Sequence, residues 1–485
     1  MPTTTLVSQP QFWSPCEGDY SYLWYCLTSA SSSTTDFKYV VDLSSYEIIS
    51  NTTTVLGRYK VPPRPITGYG WFNASKVIQT QLSYDLFPNT YGFTARSNSL
   101  KVAKLRYGFE YNPSLKYIGS FNSSTYLGLT FSAAHGLLPG DLIMINKDDK
   151  TLNPQYDGTA SITSTATYSF ITNKLYGVVG VETGAIASIL RMTGTASDIQ
   201  AFNGTRQYEQ AQLNFSLYDQ TTTGSPFLTN YPFSGNSDSP AIYVVATQSK
   251  SVSSTDKEVV SFLCDTGLVT NAYIQEYNTY GTLIATASMA YSVSSTYYRI
   301  DLGVGPANLA GNGYPLNVNT TNYTITLQKA PDEPGPKSPL GMVAYKLNKN
   351  CSPWKNTRLA FLNRLGGFDY MNFNWKSKNT VTTTKNEFKH QLSPNYTVGE
   401  RESTVLSSAS FDMWMISTDF ISETEGYWLK ELLQSSEVYV VKDDGSYLPI
   451  IITDTSYEVK VQLIEKLFAF TVNFKYAYQS SSQGN

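Results

Sequence analysis

The chain has 485 residues, 35 Lys+Arg against 38 Asp+Glu, a net charge of −3, and only 15% charged residues. That length allows roughly two to four domains with sizeable cores. The sparse charge excludes a chain kept unfolded by self-repulsion, and the near-neutral balance excludes a global pull toward nucleic acid or anionic membrane.

Apolar residues make up 41% of the chain and aromatic residues 14%, with 37 Tyr. Thr, Tyr, Phe and Val fit a pleated, half-buried surface, so the composition points to β-structure. Many Tyr and few charges also suit surfaces covered by neighbours, since interfaces are rich in aromatics and poor in Lys, Glu and Asp. The opening MPTTTLVSQPQFWSP has no basic start and no apolar core, so no secretory signal is expected. The longest apolar candidate, YGVVGVETGAIASIL, is short and contains Glu182, so no membrane span is expected. Cys16, Cys26, Cys264 and Cys351 form no CxxC pair or disulfide framework, and reduced, packed thiols are the expectation. Asn-x-Ser/Thr sequons such as those at Asn73, Asn122 and Asn395 follow from the Asn/Thr-rich composition.

In chain order, FKYVVDL (37–43) and GRYKVPP (57–63) read as strands, and FNASKVIQTQLS (72–83) as a short helix capped by Asn73. Residues 1–116 with a returning segment 196–225 make an N-terminal β-domain, the return including QYEQAQLNFSLYD (207–219). Within it, 117–195 alternates strands with Gly/Pro turns at short spacing, which predicts a small β-barrel insertion. Residues 226–332 hold six strand-like runs and no helix, which predicts a β-sandwich. KAPDEPGPKSP (329–339) reads as a linker. The last domain, 333–485, contains a helix at about 423–434, where Ser422 and Glu425 form a capping box and Trp428, Leu429, Leu432 and Leu433 an apolar stripe. A hairpin follows with its turn at Asp444-Gly445, and KLFAFTVNFKYAY alternates as a strand with one buried face. The fold class expected is mainly β, a multidomain sandwich and barrel protein with one short C-terminal helix.

FLNRLGGFDYMNF (361–373) sets Arg364 and Asp369 around Gly366-Gly367. Gly supplies the positive φ a tight turn needs, so a hairpin is expected here. Leu359 and Phe361 would face one side, Ala360 and Leu362 the other, with both sides covered, and Arg364 would pair with Asp369 across the turn or meet another subunit.

Motifs for chemistry are weak. Ser132, His135 and Asp141 could be drawn as a triad, but no nucleophile-elbow context surrounds them. Asp148, Asp149 and Asp157 miss the calcium-loop spacing. Asp443-Asp444 belong to a turn. GVGPANLAGNG (303–313) has Asn308 where the dinucleotide fingerprint needs Gly. No catalytic, metal or cofactor-binding residue is assigned, and an enzyme is not expected. Carboxylate pairs brought together from distant strands are beyond a sequence reading.

Charge is unevenly placed. Residues 341–390 hold nine Lys/Arg against two acids, and 400–460 hold twelve acids against four Lys/Arg. Solvated faces explain this simply; the sharper reading is a basic face of one copy meeting an acidic face of the next in a heterologous, ring-closing interface.

TRLAFLNRLGGFDYMNFNWKS, GYWLKELLQSSEVYVVKDDGSYLPIIITDTSYEVK and KLFAFTVNFKYAY resemble the C-terminal domain of tail structural proteins of Bacteroidetes-infecting, crAss-like phages. SQPQFWSPCEGDYSYLW, FKYVVDL, GRYKVPPRP and QLSYDLFP look like the opening of the same proteins, and AAHGLLPGDLIMI is similar to a small barrel insertion found in phage virion proteins. The matches follow overall pattern rather than a catalytic motif. The resemblance implies a virion component of the portal-proximal tail barrel that forms a ring with itself, contacts other tail and portal proteins, surrounds a channel for DNA and assembles in the host cytoplasm. Arg364, Gly366, Gly367, Asp369, Trp428, Asp444 and Gly445 are the candidate interface or structural residues. The alternatives are a receptor- or carbohydrate-binding fibre or spike module, and a capsid decoration protein.

Overall fold

β-branched and aromatic runs punctuated by Gly, Pro and Asn form strands throughout the computed structural model, which describes residues 3–18, 20–86, 91–123, 126–147, 158–175, 184–206, 227–233, 249–264, 269–290, 298–329, 341–349, 354–454, 467–478 and 481–484. The chain folds as two units, one of Met1–Ser83 and Leu100–Asn214, the other of Tyr84–Ser99 and Phe215–Asn485. Among the described residues no helix is long and apolar enough to cross a membrane. The expected strand 207–219, the acids Asp148, Asp149 and Asp157, nearly all of the 329–339 linker and Cys351 lie outside the described residues.

The first unit contains β1 (Thr5–Ser8), β2 (Trp13–Glu17), β3 (Trp24–Thr28), β4 (Lys38–Glu47), β5 (Thr52–Val61) and β6 (Gly70–Asn73). The excursion 84–99 supplies β7 (Phe93–Arg96) to the second unit. The first unit resumes with β8 (Leu100–Tyr111), β9 (Leu115–Ser123), β10 (Tyr126–Phe131), β11 (Leu142–Lys147), β12 (Gly158–Ala166), β13 (Ser169–Leu175), β14 (Gly184–Thr195) and β15 (Ile199–Thr205).

β9, β10, β13, β12, β11 and β14 pair in that order, and β14 returns to β9, so six strands close a barrel. Closure removes the exposed edges an open sheet would carry. Alternate residues fill it: Leu127, Leu129 and Phe131, Ile143 and Ile145, with Ile162, Phe170 and Ile186. β14 continues into β8, which also pairs β15 and β4. A second core there contains Leu23, Tyr25, Tyr39, Val41, Leu105 and Phe109. The helix is Ser75–Gln79, shorter than the expected 72–83. Asn73 accepts from the Ser75 amide at 3.1 Å, and Ile78 anchors the buried side. Cys16 and Cys26 are free and buried; burial pushes the Cys16 thiol well up.

The second unit begins with β16 (Lys250–Val252), β17 (Val259–Cys264), β18 (Val269–Tyr277), β19 (Leu283–Ala290), β20 (Tyr298–Gly303), β21 (Asn322–Lys329) and β22 (Gly341–Leu347). The five-stranded sheet β16-β22-β21-β18-β19 and the three-stranded sheet β17-β20-β7 share one core, including Phe262, Ile300 and Leu302 from one and Ile274, Ile325 and Val343 from the other. The two sheets form a sandwich, but not within the expected 226–332: β7 comes from 93–96 and β22 from 341–347, which lie in the expected first and last domains. GVGPANLAGNG carries a helix, Pro306–Gly311, where none was anticipated. Pro306 presets φ at the first turn and Leu309 anchors the helix in the sandwich core.

The last sheet runs β24-β23-β27-β28-β29-β26-β25, from β23 (Thr357–Leu362), β24 (Phe368–Phe373), β25 (Ser377–Lys389), β26 (Ser403–Ser422), β27 (Val438–Val441), β28 (Tyr447–Ile452) and β29 (Leu467–Tyr476). β30 (Ser481–Gly484) pairs β26. The C-terminal helix is Glu423–Gln434 and has the expected capping box: Glu425 donates its amide to Ser422 Oγ, and Ser422 donates its amide to the Glu425 carboxylate at 2.9 Å. Trp428, Leu429 and Leu432 pack it on Phe361, Ile416, Phe470 and Phe474.

Candidate functional site

β23 and β24 form the expected hairpin, with Leu362 opposite Phe368. Gly366 has φ +85°, and a Cβ on Gly367 would lie 2.6 Å from the Leu228 carbonyl oxygen. Asn363 fastens the turn: its amide donates to the Gly367 carbonyl at 2.8 Å, its Oδ1 accepts from the Gly367 amide at 2.9 Å, and its Nδ2 donates to the Leu228 carbonyl at 2.9 Å. Leu359 and Phe361 face the core under the C-terminal helix, and Ala360 and Leu362 pack with Phe368 and Tyr370, so both faces are covered as expected.

The expected Arg364–Asp369 pair is not what forms. Arg364 pairs with Glu431 of the helix at 3.1 Å. Asp369 lies opposite Phe361 in the ladder, which turns its side chain to the helix, and Trp428 Nε1 donates to Asp369 Oδ2 at 2.7 Å. Burial raises the pKa of Asp369, against the pull of Lys250 and of hydrogen bonds from Trp428, Thr229 and Asn363. Burial and the Asp369 charge push Glu431 up to about 7, against the pull of Arg364.

Beside these lies a buried charged centre that sequence reading does not find. Arg358 donates to Asp256 Oδ2 at 3.0 Å, Glu258 Oε2 at 2.5 Å and the Lys257 carbonyl at 2.8 Å. Lys250 pairs with the other oxygen of Glu258 and lies 5.3 Å from the Trp428 ring. Lys250, Asp256, Glu258, Arg358 and Asp369 are all less than a tenth exposed. Each charge has an opposite charge or hydrogen-bond donors against it, as low-dielectric burial demands. A second cluster joins Arg96 to Asp301 at 2.8 Å, with Ser261 donating to Asp301 at 2.7 Å. The cavity beside it, lined by Asp85, Val259, Ser261, Asp301, Phe368 and Tyr370, is about 10 Å³, which admits one water molecule. These groups tie strands, turn and helix together from the inside.

The residues weighed for catalysis are also held apart. His135 Nδ1 accepts from the Leu137 amide at 3.0 Å, so its Nε2 carries the proton and donates to the Ala166 carbonyl at 2.7 Å. Arg191 grips Asp141 with two hydrogen bonds of 2.6 Å, and Ser132 is exposed. The imidazole and the carboxylate therefore brace the barrel loop. Asp444 accepts from the Ser446 amide at 2.8 Å, and Gly445, at φ +81°, closes the β27–β28 hairpin. Among the described residues no group of three His, Cys, Asp or Glu side chains is placed to hold a metal ion.

Two surfaces stand out. In the first unit the alternating run Tyr20, Tyr22, Trp24 turns three aromatics outward. Tyr22 and Trp24 lie 5.8 Å apart, Trp24 and Trp71 6.2 Å apart, and Arg64 sits 5.5 Å from the Trp71 ring. In the second unit, every residue of β25 after Ser377 is exposed. The uneven charge noted above is partly internal, since Arg358, Arg364, Glu425 and Glu431 all have partners within the unit.

No family model matches the chain, and no curated protein matches it. Among solved structures it aligns with the phage phi92 endosialidase at 9% identity and a TM-score of 0.16, over 98% of this chain and 69% of that one. It aligns with the native conformation of Escherichia coli alpha-2-macroglobulin at 7% identity and a TM-score of 0.15, over 93% and 34%. It also aligns with latent PorU from Porphyromonas gingivalis at 9% identity and a TM-score of 0.11, over 72% and 33%. Likeness this weak carries no argument about fold or role.

Proposed function

We propose that this chain is a structural subunit of a phage tail, acting by assembly with copies of itself into a ring of the portal-proximal tail barrel, next to other tail and portal proteins. The observation that carries the reading is β25, a thirteen-residue strand exposed along its length from Lys378 to Lys389. β25 and the first half of β26 are joined only by β30, across Ser407–Ser410, and so small a sheet is at best marginal alone, so that packing against another surface completes it. The low charge, the outward aromatics and the sequence resemblance support the same reading. Negative-stain imaging of the purified protein tests it: closed rings are expected, and monomers at every concentration would contradict it.

The Tyr22, Trp24 and Trp71 cluster favours a second reading, a glycan-binding module. Sugar rings stack on open aromatic faces, yet these rings meet at 44° and 84° and offer no shared flat face. Glycan binding by a protein that forms no rings would select this reading.

A further inference from the structure

Lys250, on β16, carries a buried amine, 3% exposed. Its Nζ donates to Glu258 Oε1 and sits 5.4 Å from the Tyr231 ring and 5.3 Å from the Trp428 ring. Those two buried rings meet edge to face at 4.9 Å, so the amine lies in an aromatic corner closed to solvent. The indole that flanks Lys250 is also the donor to Asp369 on β24, with Nε1 2.7 Å from Oδ2. Of the groups that favour the Asp369 carboxylate, the Lys250 charge acts most strongly, so amine and carboxyl share one buried space.

The charges in that space do not balance. Lys250 and Arg358 bring two positive charges, while Asp256, Glu258 and Asp369 bring three carboxyls. Glu258 gives one oxygen to each cation, and Asp256 adds a second contact to Arg358. Asp369 is left with hydrogen-bond donors and, among the described residues, no ion pair. Burial favours its neutral acid form, the form an amine attacks. A lysine becomes a nucleophile once a base takes its proton, and Glu258 is already hydrogen-bonded to Nζ. Trp428 Nε1 supplies the donor that a developing negative charge on Asp369 Oδ2 needs.

We propose that Lys250 and Asp369 condense into an intramolecular amide, with Glu258 as the proton acceptor. Glu258 takes one proton from the Lys250 ammonium, and the amine swings from Glu258 to Asp369 on its flexible stem. Nζ bonds to Asp369 Cγ, and the bond from Cγ to the hydroxyl oxygen Oδ1 breaks. That oxygen leaves as water, with the carboxyl's own proton and a second proton from the amine. Glu258 ends protonated, Asp256 remains as the counter-ion of Arg358, and Trp428 Nε1 donates to the amide oxygen. The step needs no co-reactant, and it removes a buried ammonium that low-dielectric surroundings disfavour. The product is a covalent tie between the sandwich and the last sheet, and it stands apart from the question of self-assembly.

The test is the intact mass of the purified protein after denaturation, with its proteolytic peptides sequenced by tandem mass spectrometry. The wild type is expected to be lighter than its sequence by one water and to yield a branched peptide joining Lys250 to Asp369. Lys250→Arg and Asp369→Ala should show neither. Glu258→Gln should lower the rate at which freshly folded protein links by about a hundredfold or more. A wild type without the branched peptide, at its full sequence mass, overturns the proposal, and this measurement does not depend on any variant folding. A branch from Lys250 to another acid overturns Asp369 as the acceptor. A Glu258→Gln variant that links as fast as the wild type overturns the role of Glu258.

Discussion

Trp428 Nε1 donates to Asp369 Oδ2 at 2.7 Å, joining the C-terminal helix to the β23–β24 hairpin through a buried hydrogen bond. Trp428 is 3% exposed and Asp369 5%, so water cannot replace either partner. Trp428→Phe keeps the ring but leaves a buried carboxylate short of a donor, and should cost about 2–3 kcal/mol in urea unfolding. A loss below half a kcal/mol would show that the bond does not hold the helix.

Glu431 makes stability pH-dependent. Its folded pKa of about 7 lies above the ordinary 4.5, so the folded state holds the proton more tightly than the unfolded chain. The stabilisation is fully present below pH 4.5 and is lost as pH rises through about 7. Asp369, also raised, acts in the same direction. The unfolding free energy should therefore fall between pH 5 and 8, by up to about 3 kcal/mol. Glu431→Gln should flatten most of that slope, and a variant with the wild-type slope would assign it to another group.

The two glycines of the turn should differ in how they fail. Gly366→Ala forces a side chain onto φ +85° and should cost about 1–2 kcal/mol. Gly367→Ala drives a methyl against the Leu228 carbonyl, backbone that has little room to yield. It should cost more than Gly366→Ala in the same unfolding experiment, and the reverse order would show that the turn relaxes.

The outward aromatics should matter to assembly and not to folding. Trp24→Tyr keeps an aromatic ring at a position that is 39% exposed, and should move the unfolding free energy by about 1 kcal/mol or less. A large loss would mean that the Tyr22, Trp24 and Trp71 cluster is part of the folding core.

Much of this architecture is legible in the sequence where the signal is local. The C-terminal helix announces itself by Ser422, Glu425 and the stripe from Trp428, and the hairpins by Gly366-Gly367 and Asp444-Gly445. The assignment of Leu359 and Phe361 to one face and Ala360 and Leu362 to the other follows from strand period alone. Pro306–Gly311 escaped because six residues are too few to show helical period, although Pro at its start was a usable sign. Nearness in sequence suggests pairing Arg364 with Asp369, while the ladder register turns Asp369 toward Trp428. The charged centre was invisible because Arg358 meets Asp256 and Glu258 across about a hundred residues, and no local pattern encodes that meeting.

Self-assembly is tested most directly by negative-stain imaging of the purified chain at low salt, with native mass measured on the same sample. Closed rings of one fixed copy number are the predicted result. A single species at the 53.8 kDa mass of one chain, at every concentration, would contradict it.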